Sequence, residues 1–527
     1  MKKIIFGFLF ISHSVFGVNL SSYCTNANLD CSDEFNQAVE DSISRNEVLF
    51  VDLPEVIIEN AYFYGDSYDG LSITGKDSSF VIKTNGLKFE EVNNLSISNI
   101  SIEGLDYDIG STEQGSSLVF FGSNHGEESE NLSLMNISVS KSAADLVSIF
   151  NVNNVTVTNS QFEKSGLALR IEDQSSPDDP RPIGSGIGFK NVKNLNFTHN
   201  KVSEIKKVGL YFALSDSFLG ESKHNLFKNE FDLQNFERPT ERYGLLGATA
   251  IYYDQDERFS IINILHNRIN NFKQGAIRAN GSNFNITSNY INSSGYTCKR
   301  EALKDFNGHK YGVAFKSHYL KDSVISQNCA SRVGSGILLE SWEHIANIKL
   351  NDNFIFESIS GIAVENTTSG TYGSISILNN LVIGTEKSAL ALRTRQTSED
   401  FLVDSNTFSN GDPSRLDKQF DERKFGSGFV VVKNQKYLTF TNNWIEGEAT
   451  SINWTHLSLS AIDNSNFSRN GIQSRNKRDS SFGGITFHGD VSNSVFHNFN
   501  IYGLNPGLHY FGGESINNDL SKLNLYP

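Results

Sequence analysis

A six-residue pattern recurs along most of this chain and constrains its fold more than any other feature. It is an apolar residue, two residues of any kind, Asn, one residue of any kind and a second apolar residue. Nine segments match: "FTHNKV" 197–202, "LFKNEF" 226–231, "ILHNRI" 264–269, "ITSNYI" 286–291, "ISQNCA" 325–330, "LNDNFI" 350–355, "ILNNLV" 377–382, "VDSNTF" 403–408 and "FTNNWI" 440–445. Four keep the apolar ends but carry Asn one position earlier, and a fifth is degraded: "ISNISI" 97–102, "LMNISV" 134–139, "VTNSQF" 157–162, "IDNSNF" 462–467 and "VFHNFN" 495–500. The copies begin 22 to 40 residues apart, and the shortest gaps are too small for a strand–helix repeat.

The segments around these copies are typical of β-strands. They alternate and are rich in Ile, Val, Phe, Thr and Ser, while the whole chain has only 8 Pro in 527 residues. Short strands wound as a coil, each pairing with its equivalent one turn away, satisfy both observations. Asn would stand at the bend between two strands, where it tolerates the left-handed conformation and can hydrogen-bond to the Asn of the next turn.

The repeat resembles the pectate-lyase-like superfamily of right-handed parallel β-helices, over residues 31 to about 505. That superfamily includes polysaccharide lyases, polygalacturonase-type glycoside hydrolases, sugar epimerases and phage tailspikes. The resemblance implies an all-β solenoid of about 13–14 coils, with three strands in each coil. It also implies that a helix plugs the N-terminal end, and "CSDEFNQAVEDSISRN" predicts one, with Phe35, Val39 and Ile43 on one face and Ser32 near its N-cap.

The first residues, "MKKIIFGFLFISHSVFG", resemble a secretory signal peptide, because two lysines precede a short apolar run and small residues follow it. The sequence therefore predicts a signal peptide over 1–17, a cap over 18–60, the β-helix over 61–505 and a tail over 506–527. We expect a secreted or periplasmic protein that has no membrane contact once the signal is removed.

Net charge bears on which partners the chain can bind, and the cysteine count on which disulfides it forms. The formal charge is −15, and removing the two signal lysines makes it −17, which argues against a nucleic-acid partner. Four cysteines in an exported chain predict the disulfides Cys24–Cys31 and Cys298–Cys329, with buried free thiols as the alternative.

A second phrase, a short apolar run followed by a charge, lies between the Asn copies and predicts the first strand of each coil. Alternation turns one position of each copy outward. Aligned by this phrase, the outward positions are Ala213, Asp254, Arg278, Lys316, Glu340, Glu365, Arg393 and Lys433, and a second set two residues further on contains Asp256, His318, Trp342 and Arg395. In the superfamily this strand face carries the substrate groove, and three long segments, 234–247, 297–310 and 411–428, would form walls beside it.

Two interpretations of the charged positions stay open. Opposite charges on neighbouring strands stabilise a sheet without any function, as Asp254 with Arg278 or Lys316 with Glu340 would do. Alternatively, Arg278, Lys316, Glu340 and Arg393 are catalytic residues that face an acidic polysaccharide. Asp254, His318, Glu365, Arg395 and the sugar-stacking Tyr252 and Trp342, with Tyr253 beside them, would then contact that substrate.

Three functions fit such a groove. A polysaccharide lyase needs a cation to neutralise the uronate carboxylate and a base to remove the α proton, and Arg278 and Lys316 suit these roles. "FKS" at 315–317 resembles the Lys-Ser context of alginate- and chondroitin-type lyases, although Glu340 stands where they carry Arg. A glycoside hydrolase would use Glu340, Glu365 and Asp254, but the polygalacturonase signatures are missing from the sequence. A non-catalytic glycan-binding β-helix is the third candidate. No cofactor is certain; the same three carboxylates and "DQDE" at 254–257 are candidates for Ca²⁺, although no loop has a recognisable cage.

Overall fold

The computed structural model describes most of the chain. The described residues are 17–26, 29–105, 117–124, 127–166, 184–215, 218, 220–233, 249–256, 258–272, 274–293, 312–341, 344–366, 370–410, 427–447, 454–474, 484–503, 508–510 and 515–526. The predicted signal peptide, apart from Gly17, lies outside them. Within these ranges no helix is both long and apolar enough to cross a bilayer.

The chain folds as a parallel β-helix, as the sequence predicts. Each coil contributes one strand to each of three ladders, and every pairing runs parallel between equivalent strands of neighbouring coils. Ladder I consists of Asn60–Tyr64, Gly86–Glu90, Ser117–Gly122, Asp145–Phe150, Ile187–Lys190, Val208–Ala213, Thr249–Asp256, Gly275–Ser282, Val313–Ser317, Ser335–Ser341, Ser360–Asn366, Leu390–Glu399, Ser427–Lys436, Trp454–Asp463, Ile485–Phe487 and Leu508–Tyr510.

The other two ladders follow in chain order. Ladder II consists of Val48–Val51, Ser72–Gly75, Ser96–Ser98, Ser129–Met135, Val152–Thr158, Asn194–Thr198, Ser222–Phe227, Phe259–Leu265, Phe284–Thr287, Leu320–Ser326, His344–Asn351, Ile375–Leu378, Phe401–Asp404, Thr439–Thr441, Asn466–Ser468 and Val495–His497. Ladder III consists of Glu55–Ile57, Val81–Thr84, Ser101–Gly104, Ser138–Ser140, Gln161–Ser165, Lys201–Ile205, Glu230–Asp232, Arg268–Asn270, Tyr290–Asn292, Cys329–Ser331, Phe354–Phe356, Leu381–Thr385, Thr407–Asn410, Trp444–Gly447, Gly471–Ser474, Phe499–Tyr502 and Leu523–Tyr526. Short strands Gly17–Asn19, Thr371–Tyr372, Val491–Ser492 and Ser515–Ile516 extend the first two ladders.

The β-helix is longer than the sequence predicts. The described residues form about sixteen coils rather than 13–14, and pairing extends beyond both expected boundaries. Val48–Val51 already pairs with Ser72–Gly75, and Leu523–Tyr526 pairs with Phe499–Tyr502. The predicted tail therefore contributes strands to the last coils.

One continuous apolar core fills the interior of the coils. Each strand alternates, so the same inward position recurs one strand spacing away and similar side chains stack along the axis. The rings of Phe189 and Phe212 stack with centroids 4.8 Å apart, and Tyr253 continues the stack 4.1 Å beyond Phe212. Burial of such rings supplies most of the stabilisation, because the hydrophobic effect scales with the apolar area removed from water.

The recurrent Asn residues form a buried hydrogen-bonded ladder. In each of nine steps, the Oδ1 of one Asn accepts from the backbone N–H and the Nδ2 of the Asn one coil before it. The ladder contains Asn200, Asn229, Asn267, Asn289, Asn328, Asn353, Asn380, Asn406, Asn443 and Asn470. Each Nδ2 also donates its second hydrogen; that of Asn328, for example, donates to the carbonyl oxygen of Ile286, with an N–O distance of 2.9 Å. The prediction that these residues stack in one line is confirmed.

The prediction that Asn at the bend both adopts the left-handed conformation and joins the ladder is only partly right. In the ladder coils the left-handed residue is the one before the ladder Asn, such as Lys228 or Gln327. In the four shifted copies the Asn itself is left-handed, as at Asn99 and Asn136, whose side chains hydrogen-bond at 2.8 Å outside the ladder. Two adjacent positions of the bend therefore favour Asn for different physical reasons.

The predicted N-terminal helix spans Ser32–Arg45 and buries Phe35, Ala38 and Val39 against the end of the coil. Its N-cap is Cys31 rather than Ser32, and Asp30 Oδ1 accepts from the Ser32 backbone N–H at 3.1 Å. The disulfide Cys24–Cys31 holds this end together, as predicted. Cys329 is a free thiol, and burial raises its pKa, so the predicted Cys298–Cys329 disulfide is not formed in this structure; Cys298 itself lies outside the described residues.

Candidate functional site

The charged positions of ladder I all lie on its outward side, but they form two columns rather than one. Column A contains Tyr211, Tyr252, Arg278, Lys316 and Leu338, each opposite the next on the neighbouring coil. Column B lies two residues further along the strands and contains Glu340, Glu365, Arg393 and Lys433. The prediction of a single column is therefore wrong. Arg278 and Lys316 lie in column A, two residues before the position on their strands that belongs to column B. Alternation has a period of two, so it determines which face a residue takes but not which residue it opposes.

Arg278 and Lys316 face each other across the strand pair, so two cations lie side by side. The Arg278 guanidinium lies 4.5 Å from the centre of the Tyr252 ring, a cation–π contact. No described carboxylate forms an ion pair with Arg278, and its buried Nε has no acceptor among the described residues. This cation is therefore positioned by an aromatic ring rather than neutralised by a carboxylate.

Asp254 is held by two tyrosines. Its Oδ2 accepts from the Tyr211 hydroxyl at 3.0 Å and its Oδ1 from the Tyr252 hydroxyl at 3.1 Å. Burial raises the pKa of Tyr252 to about 12, although Arg278 acts in the opposite direction. Asp254 therefore orients the tyrosine on which the arginine rests, rather than pairing with Arg278 directly.

Glu340 is almost completely buried, at 4% exposure, on the outward side of ladder I. Its Oε2 lies 3.6 Å from Lys316 Nζ and 3.9 Å from His318 Nδ1. His318 is also buried, and its Nδ1 lies 3.1 Å from the Glu340 carbonyl oxygen. Burial, followed by Lys316 and Arg278, lowers the pKa of His318 to about 4, so this imidazole is neutral at physiological pH. His318 therefore lies against Glu340, and its predicted contact with substrate stays a prediction.

Glu365 stands opposite Glu340 on the next coil and has its own cation. Its Oε1 lies 3.5 Å from Arg393 Nη1, and Arg393 in turn faces Lys433. Burial, together with Arg393, lowers the pKa of the nearby Lys387 to about 8, against the opposing effects of Glu365 and Glu386. Two carboxylates on neighbouring coils thus lie between two groups of cations.

The order of charges along the columns bears on the two interpretations, structural pairing and substrate binding. If the charges served only to pair strands, opposite signs would alternate along each column, because like charges directly opposite one another destabilise a sheet. Instead, Arg278 faces Lys316, Glu340 faces Glu365, and Arg393 faces Lys433. One ion pair, Lys316–Glu340, runs diagonally between the columns, and a second, Glu365–Arg393, joins directly opposed residues of column B. Like-charged neighbours at three places are typical of a site that awaits a charged ligand.

Other predicted site residues lie elsewhere. Tyr253 is a core residue, fully buried and 3.1 Å from His224 Nδ1, so it does not line the groove as predicted. Arg395 is exposed beyond Arg393 on the same strand. Trp342 and the three predicted wall segments lie outside the described residues, as does the side chain of Asp256.

Sequence reasoning missed three contributors. Tyr211 lies on the same outward side as Ala213, but alignment by the apolar run selects only Ala213, two residues further on. Lys387 precedes its strand, so alternation gives no signal for it. Tyr372 donates its hydroxyl hydrogen towards the carbonyl oxygens of Leu339 and Glu365, and it also accepts from the Ser341 backbone N–H at 3.0 Å. Such a contact between turns can be found only from coordinates.

The residues suggested for Ca²⁺ do not form one site. Asp254 stands three coils before Glu340, which is roughly 14 Å at a strand spacing of ~4.8 Å. Glu340 and Glu365 are each paired with a cation. Among the residues described, no group of three or more His, Cys, Asp or Glu side chains is placed to hold a metal ion.

No family model matches the chain, and none of the curated proteins does. Solved structures do match. The A-module of a mannuronan C-5 epimerase from Azotobacter vinelandii is 11% identical, over 97% of this chain and 99% of that one, with a TM-score of 0.34. The tailspike of E. coli bacteriophage HK620, solved in complex with a pentasaccharide, is 13% identical over 89% and 78%, with a TM-score of 0.46. The Dettilon tailspike is 12% identical over 97% and 68%, with a TM-score of 0.30. At these identities and scores, the likenesses carry no argument about the chemistry of this chain.

Proposed function

We propose that this chain is a secreted or periplasmic carbohydrate-active protein that binds an acidic polysaccharide along columns A and B and cleaves it. The observation that carries the proposal is the pair Arg278–Lys316, two facing cations of which Arg278 has no described carboxylate partner. A chain of charge −15 repels polyanions at long range, so a polyanion site needs such a local concentration of positive charge. The planar guanidinium suits a carboxylate because it can bind both oxygens.

β-Elimination is the reaction that this pair fits best. Arg278 would bind the uronate carboxylate and so acidify the proton on the adjacent carbon. The neutral amine of Lys316 would take that proton. The electron pair of the broken C–H bond would form a carbon–carbon double bond, and the glycosidic oxygen would leave with its own bonding pair and be protonated from solvent. One product end would therefore be unsaturated.

The protonation of Lys316 is the critical quantity for elimination. Arg278 beside it favours the neutral amine, whereas Glu340, 3.6 Å from Nζ, favours the ammonium form. The two neighbours therefore act in opposite directions on this base.

Glycoside hydrolysis is the second candidate, and the register of Glu340 opposite Glu365 favours it. Adjacent coils put the two strands ~4.8 Å apart, close to the carboxyl separation of ~5–5.5 Å used by retaining glycosidases. Glu340 is the more buried of the two and is the better candidate for the general acid.

One experiment separates these reactions. Alginate, polygalacturonate, hyaluronan and chondroitin sulfate are each digested with the parent chain, and both ultraviolet absorbance and reducing ends are followed. Elimination gives both signals, whereas hydrolysis gives reducing ends alone. Product from none of the four, together with no retention of any of them on the immobilised chain, would reject the proposal; retention alone would leave a binding protein.

Glu340→Gln then tests the mechanism by the sign of its effect. In a lyase, removing the carboxylate releases Lys316 from its stabilised ammonium form, so activity near neutral pH should be kept or rise, and the base titration should move to lower pH. In a hydrolase, the same variant loses a catalytic carboxyl group, and turnover should fall by about 10²–10⁴-fold.

A further inference from the structure

The charges of ladder I are arranged symmetrically about the two glutamates. Along the axis the order is Arg278 and Lys316, then Glu340 and Glu365, then Arg393 and Lys433. Two cations therefore stand on each side of a central carboxylate pair. Elimination at Arg278 and Lys316 leaves the second cation group without a role.

The second group places Arg393 opposite Lys433, with Lys387 close to Arg393. Arg393 donates to Ser388 Oγ at 3.5 Å and pairs with Glu365, while its buried Nε has no acceptor among the described residues. Lys433 opposite it is exposed. Lys387, immediately before Ser388, has a pKa of about 8 because of burial and Arg393, and it is still mostly protonated at neutral pH. Arg393 and Lys387 thus lie near Glu365, Lys433 faces Arg393 one coil further on, and the exposed Glu386 also acts on Lys387.

We propose that Lys387, Arg393 and Lys433 form a second anion subsite, which binds an anionic sugar of the same glycan on the far side of Glu340 and Glu365 from Arg278. The inference rests on the proposed function and specifies its substrate. That substrate is a glycan with anionic groups on both sides of the cleaved bond, rather than one with a single acidic end.

The distance between the subsites sets a length requirement. Lys316 and Arg393 are three strand spacings apart, or ~14 Å at ~4.8 Å per strand. A glycan shorter than this can occupy one subsite only. A longer one binds both at once, and the second contact then forms within the complex at a high effective concentration.

The test uses oligogalacturonates of increasing length, or the equivalent series from whichever of alginate, hyaluronan and chondroitin sulfate the parent cleaves. The parent, Lys433→Gln, Arg393→Gln and the matched control Lys349→Gln are compared. Lys349 is an exposed cation on the outward side of ladder II, so its variant makes the same charge change away from both columns. The Michaelis constant, kcat and the salt dependence of binding are measured at each length.

We expect the parent and Lys349→Gln to gain affinity sharply once the oligosaccharide spans both subsites. Lys433→Gln and Arg393→Gln should lose about tenfold of this gain, because each removes one charged contact, and their salt dependence should be shallower. If both variants gain affinity with length as the parent does, the second subsite is refuted although the polysaccharide activity stands. If the parent neither binds nor cleaves any of the four polysaccharides, the proposed function itself fails.

Discussion

The asparagine ladder and the two columns of ladder I repeat once per coil on the same scaffold, yet they differ in every other respect. The ladder uses one residue type ten times, buried, with each member bonded to the next. Columns A and B change residue at almost every coil, and like charges face each other. Uniform repetition is what a mechanical role requires, because each Asn completes its neighbour. Variation at an outward position, at an electrostatic cost to the sheet, is what the proposed binding site would require.

The sharpest test of this contrast is Lys316→Ala. If columns A and B are functional, turnover should fall by about 10²–10⁴-fold, the usual contribution of a general base. The denaturant midpoint of Lys316→Ala should stay close to that of the parent, although kcat/KM falls. Arg278→Lys should also lose activity, because a point charge cannot replace the bidentate guanidinium. Full activity in Lys316→Ala, on a substrate that the parent cleaves, would return the columns to a purely structural role.

The converse variant is Asn328→Leu in the middle of the ladder. It removes the acceptor for Asn289 and the donor to Ile286, so several buried polar groups lose their partners. We expect a loss of on the order of 3–5 kcal/mol in the free energy of unfolding, since each unsatisfied buried group costs ~1–3 kcal/mol. The half-buried Asn225, which donates to Asn196 outside the ladder, is the matched control, and Asn225→Leu should cost under ~0.5 kcal/mol. Equal losses at both positions would show that the buried ladder has no special importance.

Acid should destabilise the β-helix through its buried histidines. Burial lowers the pKa of His224, His318 and His456 to about 4 in each case. In the unfolded chain these histidines titrate near pH ~6.5, so below that pH they bind protons that they do not bind in the folded chain. The stabilisation is complete above pH 6.5 and is lost as the pH falls towards and through 4, by on the order of 3 kcal/mol per histidine.

Thermal unfolding midpoints from pH 7.5 to 4.5 measure this loss. His224→Gln removes one titrating group, so its midpoint should start lower but fall less steeply with acid than that of the parent. An equally steep fall in the variant would mean that His224 does not contribute to the acid sensitivity.

The sequence predicts the fold well because the bend needs the same residue on each coil, so the pattern accumulates over hundreds of residues. The Asn470 copy, "FSRNGI" at 467–472, was missed only because the shifted copy at 462–467 overlaps it. The candidate site is harder to predict. Alternation correctly placed Arg278, Lys316 and Glu340 outside, but register depends on how many residues each turn uses, which no local pattern reveals. Lys387 depends on burial and on Arg393, and neither is visible along the chain.

The smallest effect is expected at Gly188, which continues column A between Ser148 and Tyr211. Its backbone is not left-handed, and an added Cβ would meet only Ser148 Oγ, at 4.0 Å, so neither backbone strain nor close packing requires glycine. Glycine weakens a strand interior, and Gly188→Val should therefore stabilise the chain by ~0.5–1 kcal/mol, measured from the denaturant midpoint. Gly86→Val is the control, because Gly86 is another strand glycine with room for a side chain, 3.4 Å from Asn60 Oδ1, and it lies away from columns A and B. A larger side chain at an outward position without a function should raise the stability of the chain and leave its activity unchanged. A Gly188→Val variant that is more stable but binds long acidic glycans less tightly than Gly86→Val would extend the binding face from Tyr211 towards the N-terminal coils, whereas unchanged binding would place its end at Tyr211.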